Sequence, residues 1–203
     1  KKLVNVYWGW TMPHPVTPER LAAGARKVEA MTPATGAITK LLRGPNTIET
    51  EIGMLTTIPA GTTLNGINIA NNVATVDLSP EFEDECGRLS EEMRLGQVVF
   101  TLTQFDNVRR VKFQIDGVPT DPILCHGFHV GNGLRRSDFN DGVRPLVMVE
   151  YPFPGARATN PLEVRGESNT FEATVYYTLT DQGGDGRIIA EGFTNATAGN
   201  GTW

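Results

Sequence analysis

Alternating apolar and polar positions at the start of the chain predict a β-strand. Val4, Val6, Trp8 and Trp10 fall on one face of this segment, and polar or small residues fall on the other. A second short strand is predicted over residues 26–31. The chain therefore opens with two strands before the first helical signal.

Two helices are predicted from apolar residues that recur at intervals of three and four. The first begins near Pro33 and ends at Gly44 and Pro45, because glycine suits a left-handed helix cap and proline cannot continue a helix. The second covers residues around 95–102. Each helix presents one apolar face, which must pack against another element.

A hairpin is predicted between the two helices. Residues 67–69 and 74–78 each alternate apolar and polar side chains. Asn71 and Asn72 stand between them, and asparagine tolerates the positive φ of a tight turn. After the second helix, residues 111–115 alternate again. Strands and helices in this order are typical of an α+β layer, with helices on one face of a sheet.

The C-terminal part carries only β signals. Four strands are predicted, over residues 146–150, 162–165, 171–179 and 188–193. Short strands separated by turn residues suggest a sandwich, but an immunoglobulin-like sandwich needs about seven strands. The predicted sandwich is therefore incomplete.

These signals divide the chain into two domains. Residues 1–120 are predicted to form the α+β domain, and residues 145–203 the all-β domain. Residues 121–144 are rich in Gly, Asp, Asn and Pro and lack a regular period, so they are predicted to connect the two.

Composition and charge narrow the classes of partner. The 203 residues are 39% hydrophobic and 20% charged, which favours a packed core over disorder. The net charge of −5 disfavours nucleic acid as a partner and gives no reason for docking on anionic lipid. No apolar run approaches the length of a membrane span.

The two cysteines permit two interpretations. Cys86 and Cys125 can form a disulfide or remain as two buried thiols. Cys125, His126 and His129 are weak candidates for a metal site, because thiolate and imidazole ligands suit zinc. A solvated loop is the simpler alternative, since the sequence has no CxxC pair to supply further ligands. No catalytic or cofactor-binding residue is predicted.

Two pairs of residues are candidate surface contacts. Trp8 and Trp10 share a face of the first strand, and a tryptophan at a strand rim can stack on a sugar or a protein partner. Packing in the core is the favoured alternative for at least one of them. Arg135 and Arg136 can bind an anionic polymer, although a solvated loop is the default interpretation.

Five motifs in the first domain resemble GerMN domains of the sporulation and spore germination family. In chain order they are LLRGP (41–45), TIPAGT (57–62), VATVDLS (73–79), QVVFTLTQF (97–105) and VKFQIDG (111–117). The resemblance covers roughly residues 3–120 and implies a mixed sheet with two helices. The family has no established catalytic residues, so no catalytic role is implied.

The second domain resembles the immunoglobulin-like domain of bacterial spore germination. The similar segments are PFPG (152–155), NP (160–161), VRG (164–166) and NTFEA (169–173). Together the two resemblances imply a secreted or lipid-anchored protein outside a bacterial membrane, held there only through an anchor that this sequence does not include.

The expected function is a non-enzymatic interaction or assembly module of the cell envelope, without a cofactor, because GerMN domains resemble ring-building modules. Its expected partners are an envelope protein or a second copy of itself. A module that binds cell-wall glycan such as peptidoglycan is the alternative. A metal-dependent hydrolase is a more remote one.

Overall fold

The computed structural model describes residues 1–11, 20–181 and 186–196. Its helices are α1 Pro33–Leu41, α2 Thr47–Glu51 and α3 Arg88–Leu102. Its strands are β1 Lys2–Trp10, β2 Arg20–Val28, β3 Met54–Leu55, β4 Leu64–Ala70, β5 Val73–Leu78, β6 Arg110–Ile115, β7 Val118–Pro119, β8 Val147–Tyr151, β9 Arg165–Ser168, β10 Thr174–Thr180 and β11 Ile188–Asn195.

β1 lies at the centre of the first sheet, between β2 and β3. Both of its faces are covered, since Val6, Tyr7 and Trp8 are all fully buried. On one face Tyr7 meets Phe100 of α3 edge to face, with ring centroids 5.5 Å apart. The second strand begins earlier than predicted, at Arg20, and pairs antiparallel with the whole of β1.

The second sheet has the order β4-β5-β6-β7. β4 and β5 form the predicted hairpin, and Asn71 and Asn72 at its turn have φ of 50° and 61°. β6 runs parallel to β5, so α3 is the crossover between them. The inner face carries Ala74, Val76, Leu78, Val111 and Phe113 into the core, and the outer face is polar.

Residues 121–144, predicted as a connector, pack against the core of the first sheets. The buried apolar residues of this segment are Ile123, Leu124, Val130, Phe139 and Val143. Its backbone also joins both sheets, because Leu134 exchanges two hydrogen bonds with Val111 of β6 and the carbonyl of Val143 accepts one from Leu21 of β2. It is therefore an ordered part of the folded unit that the two sheets and their helices form, which we call the first unit. The boundaries of the two domains stay predictions.

Two separate hairpins follow, β8–β9 and β10–β11. The first is anchored by Met148, which is buried in the main core. The third predicted strand starts late, at Thr174, because residues 171–173 form a short helical turn in which Glu172 and Ala173 have positive φ. Neither hairpin pairs with a third strand in the part of the chain that the structure describes.

Candidate functional site

A network of polar side chains joins the first unit to the β8–β9 hairpin. The Arg136 guanidinium donates to the Tyr7 hydroxyl at 3.0 Å and to Glu167 at 2.5 Å. Tyr7 in turn donates to Glu150 of β8, and Arg144 donates to Glu167 at 2.6 Å. The network therefore links β1, β8, β9 and the segment before β8, which identifies it as a structural joint.

Burial and neighbouring charges shift the pKa values of Tyr7 and Arg136 in this network. Burial raises the pKa of Tyr7 well above its ordinary value, and the nearby Glu150 carboxylate adds to the effect despite the opposing Arg136. Burial lowers the pKa of Arg136, but the attraction of Tyr7, Glu167 and Glu150 outweighs it and raises the pKa overall. Tyr7 is thus a neutral hydrogen-bond donor, unsuited to act as a base near neutral pH.

Arg135 and Arg136, predicted together as surface contacts, have different environments. Arg136 is only 15% exposed and stacks on Phe100 with its guanidinium 4.8 Å from the ring centroid. The prediction of a surface role for Arg136 is therefore wrong, because carboxylates and aromatic rings from distant positions in the sequence surround its guanidinium. Arg135 is exposed, and its backbone N–H is held by Asp138 at 2.8 Å.

The tryptophans also differ from each other. Trp8 is fully buried and lies under the Arg26 guanidinium, 5.4 Å from its ring, so it is not available as a surface contact. Trp10 is half-buried, and its indole N–H donates to the carbonyl of Ile52 at 2.7 Å. Trp10 therefore belongs to the rim of the first sheet.

The two cysteines form a disulfide, with Cα atoms 5.6 Å apart. It ties the loop before α3 to the segment after β7. Because both sulfurs are bonded to each other, Cys125 offers no thiolate to a metal ion. Cys86, Glu91 and Cys125 place ligand-type atoms within 4.8 Å of one another, but the sulfurs are bonded to each other and both carboxylate oxygens of Glu91 accept hydrogen bonds.

The two histidines near the disulfide bind separate carboxylates. His126 donates its backbone N–H to Glu91 at 3.0 Å, and its ring Nδ1 lies 2.8 Å from the same carboxylate. His129 lies 3.4 Å from Asp121 instead. The structure therefore does not bring Cys125, His126 and His129 together around one point.

Glu91 and Arg94 of α3 form hydrogen bonds with backbone groups of the neighbouring loops. Burial raises the pKa of Glu91, but hydrogen bonds from Gly87 and His126 outweigh this and lower it overall. Arg94 is buried and donates to four backbone carbonyls, those of Thr57, Phe82, Asp84 and Glu85. Both side chains satisfy backbone groups of loops, a structural role that no local pattern predicted.

Several large apolar side chains are exposed on the β10–β11 hairpin. Tyr176 is 80% exposed and Phe193, directly opposite it, is 65% exposed. Their rings lie 6.1 Å apart. Tyr177 faces the other side of the hairpin, and it too is exposed, as are Ile188 and Ile189. We call Tyr176 and Phe193, which share one face, the hairpin surface.

No helix within the described residues is long and apolar enough to cross a bilayer.

Two solved structures share the fold. The first GerMN domain of the sporulation protein GerM from Bacillus subtilis is 21% identical, with a TM-score of 0.53 over 68% of this chain and all of that chain. The tandem GerMN domains of the same protein are 18% identical, with a TM-score of 0.55 over 95% of this chain and 58% of that chain. The predicted α+β fold followed by an immunoglobulin-like β part is confirmed.

Family models match both parts of the chain. No curated protein matches it significantly. The model of the immunoglobulin-like domain of bacterial spore germination, Gmad2, matches residues 146–203. The model named Germane, sporulation and spore germination, matches residues 5–121, which is more than half of the chain. The chain therefore belongs to the Germane family of sporulation and spore germination domains.

Proposed function

We propose that this protein is a non-enzymatic module of the bacterial cell envelope, which docks to another protein or to a second copy of itself through the hairpin surface. The observation that carries the proposal is the exposed aromatic pair Tyr176 and Phe193. Contiguous exposed apolar side chains in soluble proteins mark interaction sites. Tyrosine and phenylalanine are also enriched at the centres of protein interfaces.

The geometry of the hairpin supports docking by another sheet or strand. A two-stranded hairpin alone is marginally stable in water and gains stability when a third strand or a packed face is added. β10 and β11 pair only with each other within the described residues, so their outer backbone edges are open there. Strand addition would give main-chain hydrogen bonds, and the apolar side chains would set specificity.

The disulfide supports a location outside the cytoplasm. Cys86 and Cys125 are both exposed, so a reductant in the cytoplasm would have direct access to them. Disulfides persist mainly in oxidising compartments and on cell surfaces. A secreted or lipid-anchored protein therefore fits the cysteine chemistry as well as the family.

The other two candidate functions have less support. The buried Trp8 gives no stacking platform for peptidoglycan, so a glycan-binding role needs a different surface. A metal-dependent hydrolase needs ligands with an open position. Cys125, His126 and His129 have other partners in the structure.

The experiment is photo-crosslinking from single positions in the native envelope. A photo-crosslinking residue at position 176 should yield a discrete adduct with a protein or with a second copy of the chain. The control position is Met31, which is 93% exposed on the first unit and should yield none. Adding Phe193→Ser should reduce the adduct from position 176.

Sedimentation of the purified chain distinguishes a second copy from a different protein as the partner. If the partner is a second copy, sedimentation should show a dimer that Tyr176→Ser with Phe193→Ser dissociates and Met31→Ser does not. A monomer at all concentrations would leave a different protein as the partner. Absence of any adduct from position 176 in the envelope, with no dimer, would contradict the proposal.

A further inference from the structure

A shallow depression lies on the outer face of the second sheet, beside the β4–β5 turn. Its volume is about 670 Å³. Arg109, Arg110 and Lys112 line it, and so do amide side chains from the turn and from Asn132. Among the described residues that line it, none is acidic. The depression is therefore basic although the chain as a whole carries a net charge of −5.

The described part of the chain offers these three cations no counter-charge. Within the described residues, none of their side chains forms an ion pair or a hydrogen bond, whereas Arg26, Arg136 and other arginines are paired with glutamates. An unpaired cluster of like charges repels itself, and a bound anion would relieve that repulsion. The depression can thus attract an anion without first breaking an internal ion pair.

Strand geometry fixes the spacing of the two central cations. Val111 and Phe113 point into the core, so Arg110 and Lys112 both stand on the outer face. Alternate residues of a strand lie roughly 6.6 Å apart. Two cations at this spacing can contact successive anionic groups of one ligand, which favours a repeating anion over a single phosphate.

The basic surface continues beyond the depression. Arg109 also lines a second depression of about 340 Å³, together with the exposed Arg135. Asp106 is the one carboxylate among the residues that line this second depression. Arg109, Arg110, Lys112 and Arg135 therefore form a basic strip across two depressions that share Arg109.

The groups around the strip select among polyanions. Asn71, Asn72 and Asn132 offer amide donors and acceptors, which suit sugar hydroxyls. The described residues that line the first depression include no aromatic side chain, so they offer no stacking platform to bases of single-stranded nucleic acid. A concave surface is also a poor match for a flat bilayer. These features favour an acidic glycan.

We propose that the basic strip binds a linear acidic glycan polymer of the cell envelope, bearing phosphate or carboxylate groups. Arg110 and Lys112 contact successive anionic groups, and the asparagines bond the sugar hydroxyls. This site is independent of the hairpin surface, which lies on different strands. Binding a wall polymer would hold the module in the envelope while the hairpin docks its protein partner.

The test compares two variants with the same net charge. The first is Arg110→Gln with Lys112→Gln, and the control is Lys27→Gln with Arg43→Gln, which removes two exposed cations from elsewhere on the first unit. The probes are purified wall teichoic acid, polygalacturonate, neutral dextran, oligo-dT and vesicles with phosphatidylglycerol. Denaturant unfolding of both variants checks that each is folded.

The strip variant should bind the preferred acidic polymer at least tenfold more weakly than the wild type at low salt, and the control should change binding less than twofold. The dependence of log K on log salt should also become shallower by about 2 in the strip variant. Dextran should not bind. The variant Tyr176→Ser with Phe193→Ser should retain polymer binding, which separates this proposal from the docking role.

Three outcomes would overturn the proposal. The first is no binding of the wild type to either acidic polymer at low salt. The second is an equal loss in the control, which would mean that overall charge decides. The third is tighter binding to oligo-dT or to vesicles than to both glycans.

Discussion

The guanidinium of Arg136 donates to the hydroxyl of Tyr7 at 3.0 Å, although 129 positions separate the two residues along the chain. Tyr7 belongs to the first strand, and Arg136 to the segment that follows the second sheet. The same two side chains contact Glu150 and Glu167 of the β8–β9 hairpin. Three distant parts of the chain therefore meet at one buried hydrogen-bonded joint.

Removal of Arg136 should destabilise this joint. Arg136→Met leaves the carboxylate of Glu150 without a cation and leaves Glu167 with Arg144 alone. We expect the free energy of unfolding in urea to fall by about 2–4 kcal/mol. Arg135→Met is the matched control and should change it by less than about 0.5 kcal/mol, since Arg135 is exposed. Equal effects in the two variants would contradict a structural role for the network.

The disulfide should contribute strongly to stability. It closes a loop over a sequence separation of 39 residues, so it restricts the unfolded chain considerably. Cys86→Ser with Cys125→Ser should lower the free energy of unfolding by about 4 kcal/mol on the chain-entropy model. Reduction of the wild type with a dithiol should cause a similar loss and should leave the double variant unchanged. A shift of the double variant on reduction would show that the dithiol acts elsewhere.

A methyl group at position 166 should disturb the β8–β9 hairpin. A Cβ at Gly166 would lie 2.0 Å from the backbone carbonyl oxygen of Met148, which cannot move without shifting the strand. Gly166→Ala should therefore cost about 1–3 kcal/mol in denaturant unfolding. Gly66→Ala in β4 is the control, because a Cβ there meets no atom within 4 Å. We expect Gly66→Ala to be neutral or slightly stabilising.

Low pH should reduce the stability that Glu91 contributes through the hydrogen bonds it accepts from Gly87 and His126. Hydrogen bonds lower the pKa of Glu91 below its ordinary value of 4.5, so folding favours the carboxylate. The stability it provides is present above pH 4.5 and is lost as the pH falls through the lower folded value. The unfolding free energy of Glu91→Gln should therefore depend less on pH below about 5 than that of the wild type.

A second variant controls for the charge that Glu91→Gln removes. Glu51→Gln changes an exposed carboxylate at the end of α2. Stability curves of the three proteins between pH 3 and pH 7 make the comparison. If Glu91→Gln keeps the full acid dependence of the wild type, another group must cause it.

Local patterns predicted the regular elements well where each has one apolar face. The helix after Pro33, the turn at Asn71 and Asn72 and the strand at 111–115 all lie where the alternation and turn chemistry place them. These features depend on residues within a few positions of each other. Three of the five GerMN motifs overlap β5, α3 and β6, whereas LLRGP marks the end of α1 and TIPAGT lies in the loop before β4.

Other features depend on contacts that no local pattern contains. Residues 121–144 lack a period, yet five of their apolar side chains fill gaps in the core at irregular intervals. Trp8 and Trp10 share a strand face, but only Trp8 lies deep enough to be fully covered. Of the basic strip, only Arg135 is predicted as a contact from the sequence, because the other cations come from β6 and the preceding turn.

The sequence by itself determined the α+β class, the order of its main strands and helices and the family, because periodicity and turn residues act over short distances. Only the tertiary structure decided which polar side chains are buried, which cysteines bond and which apolar surface stays open. Those outcomes depend on which distant segment covers each side chain. Arg135 and Arg136 illustrate the reason: they are neighbours of the same type, and only the packing of β1 and the β8–β9 hairpin around one of them makes them different.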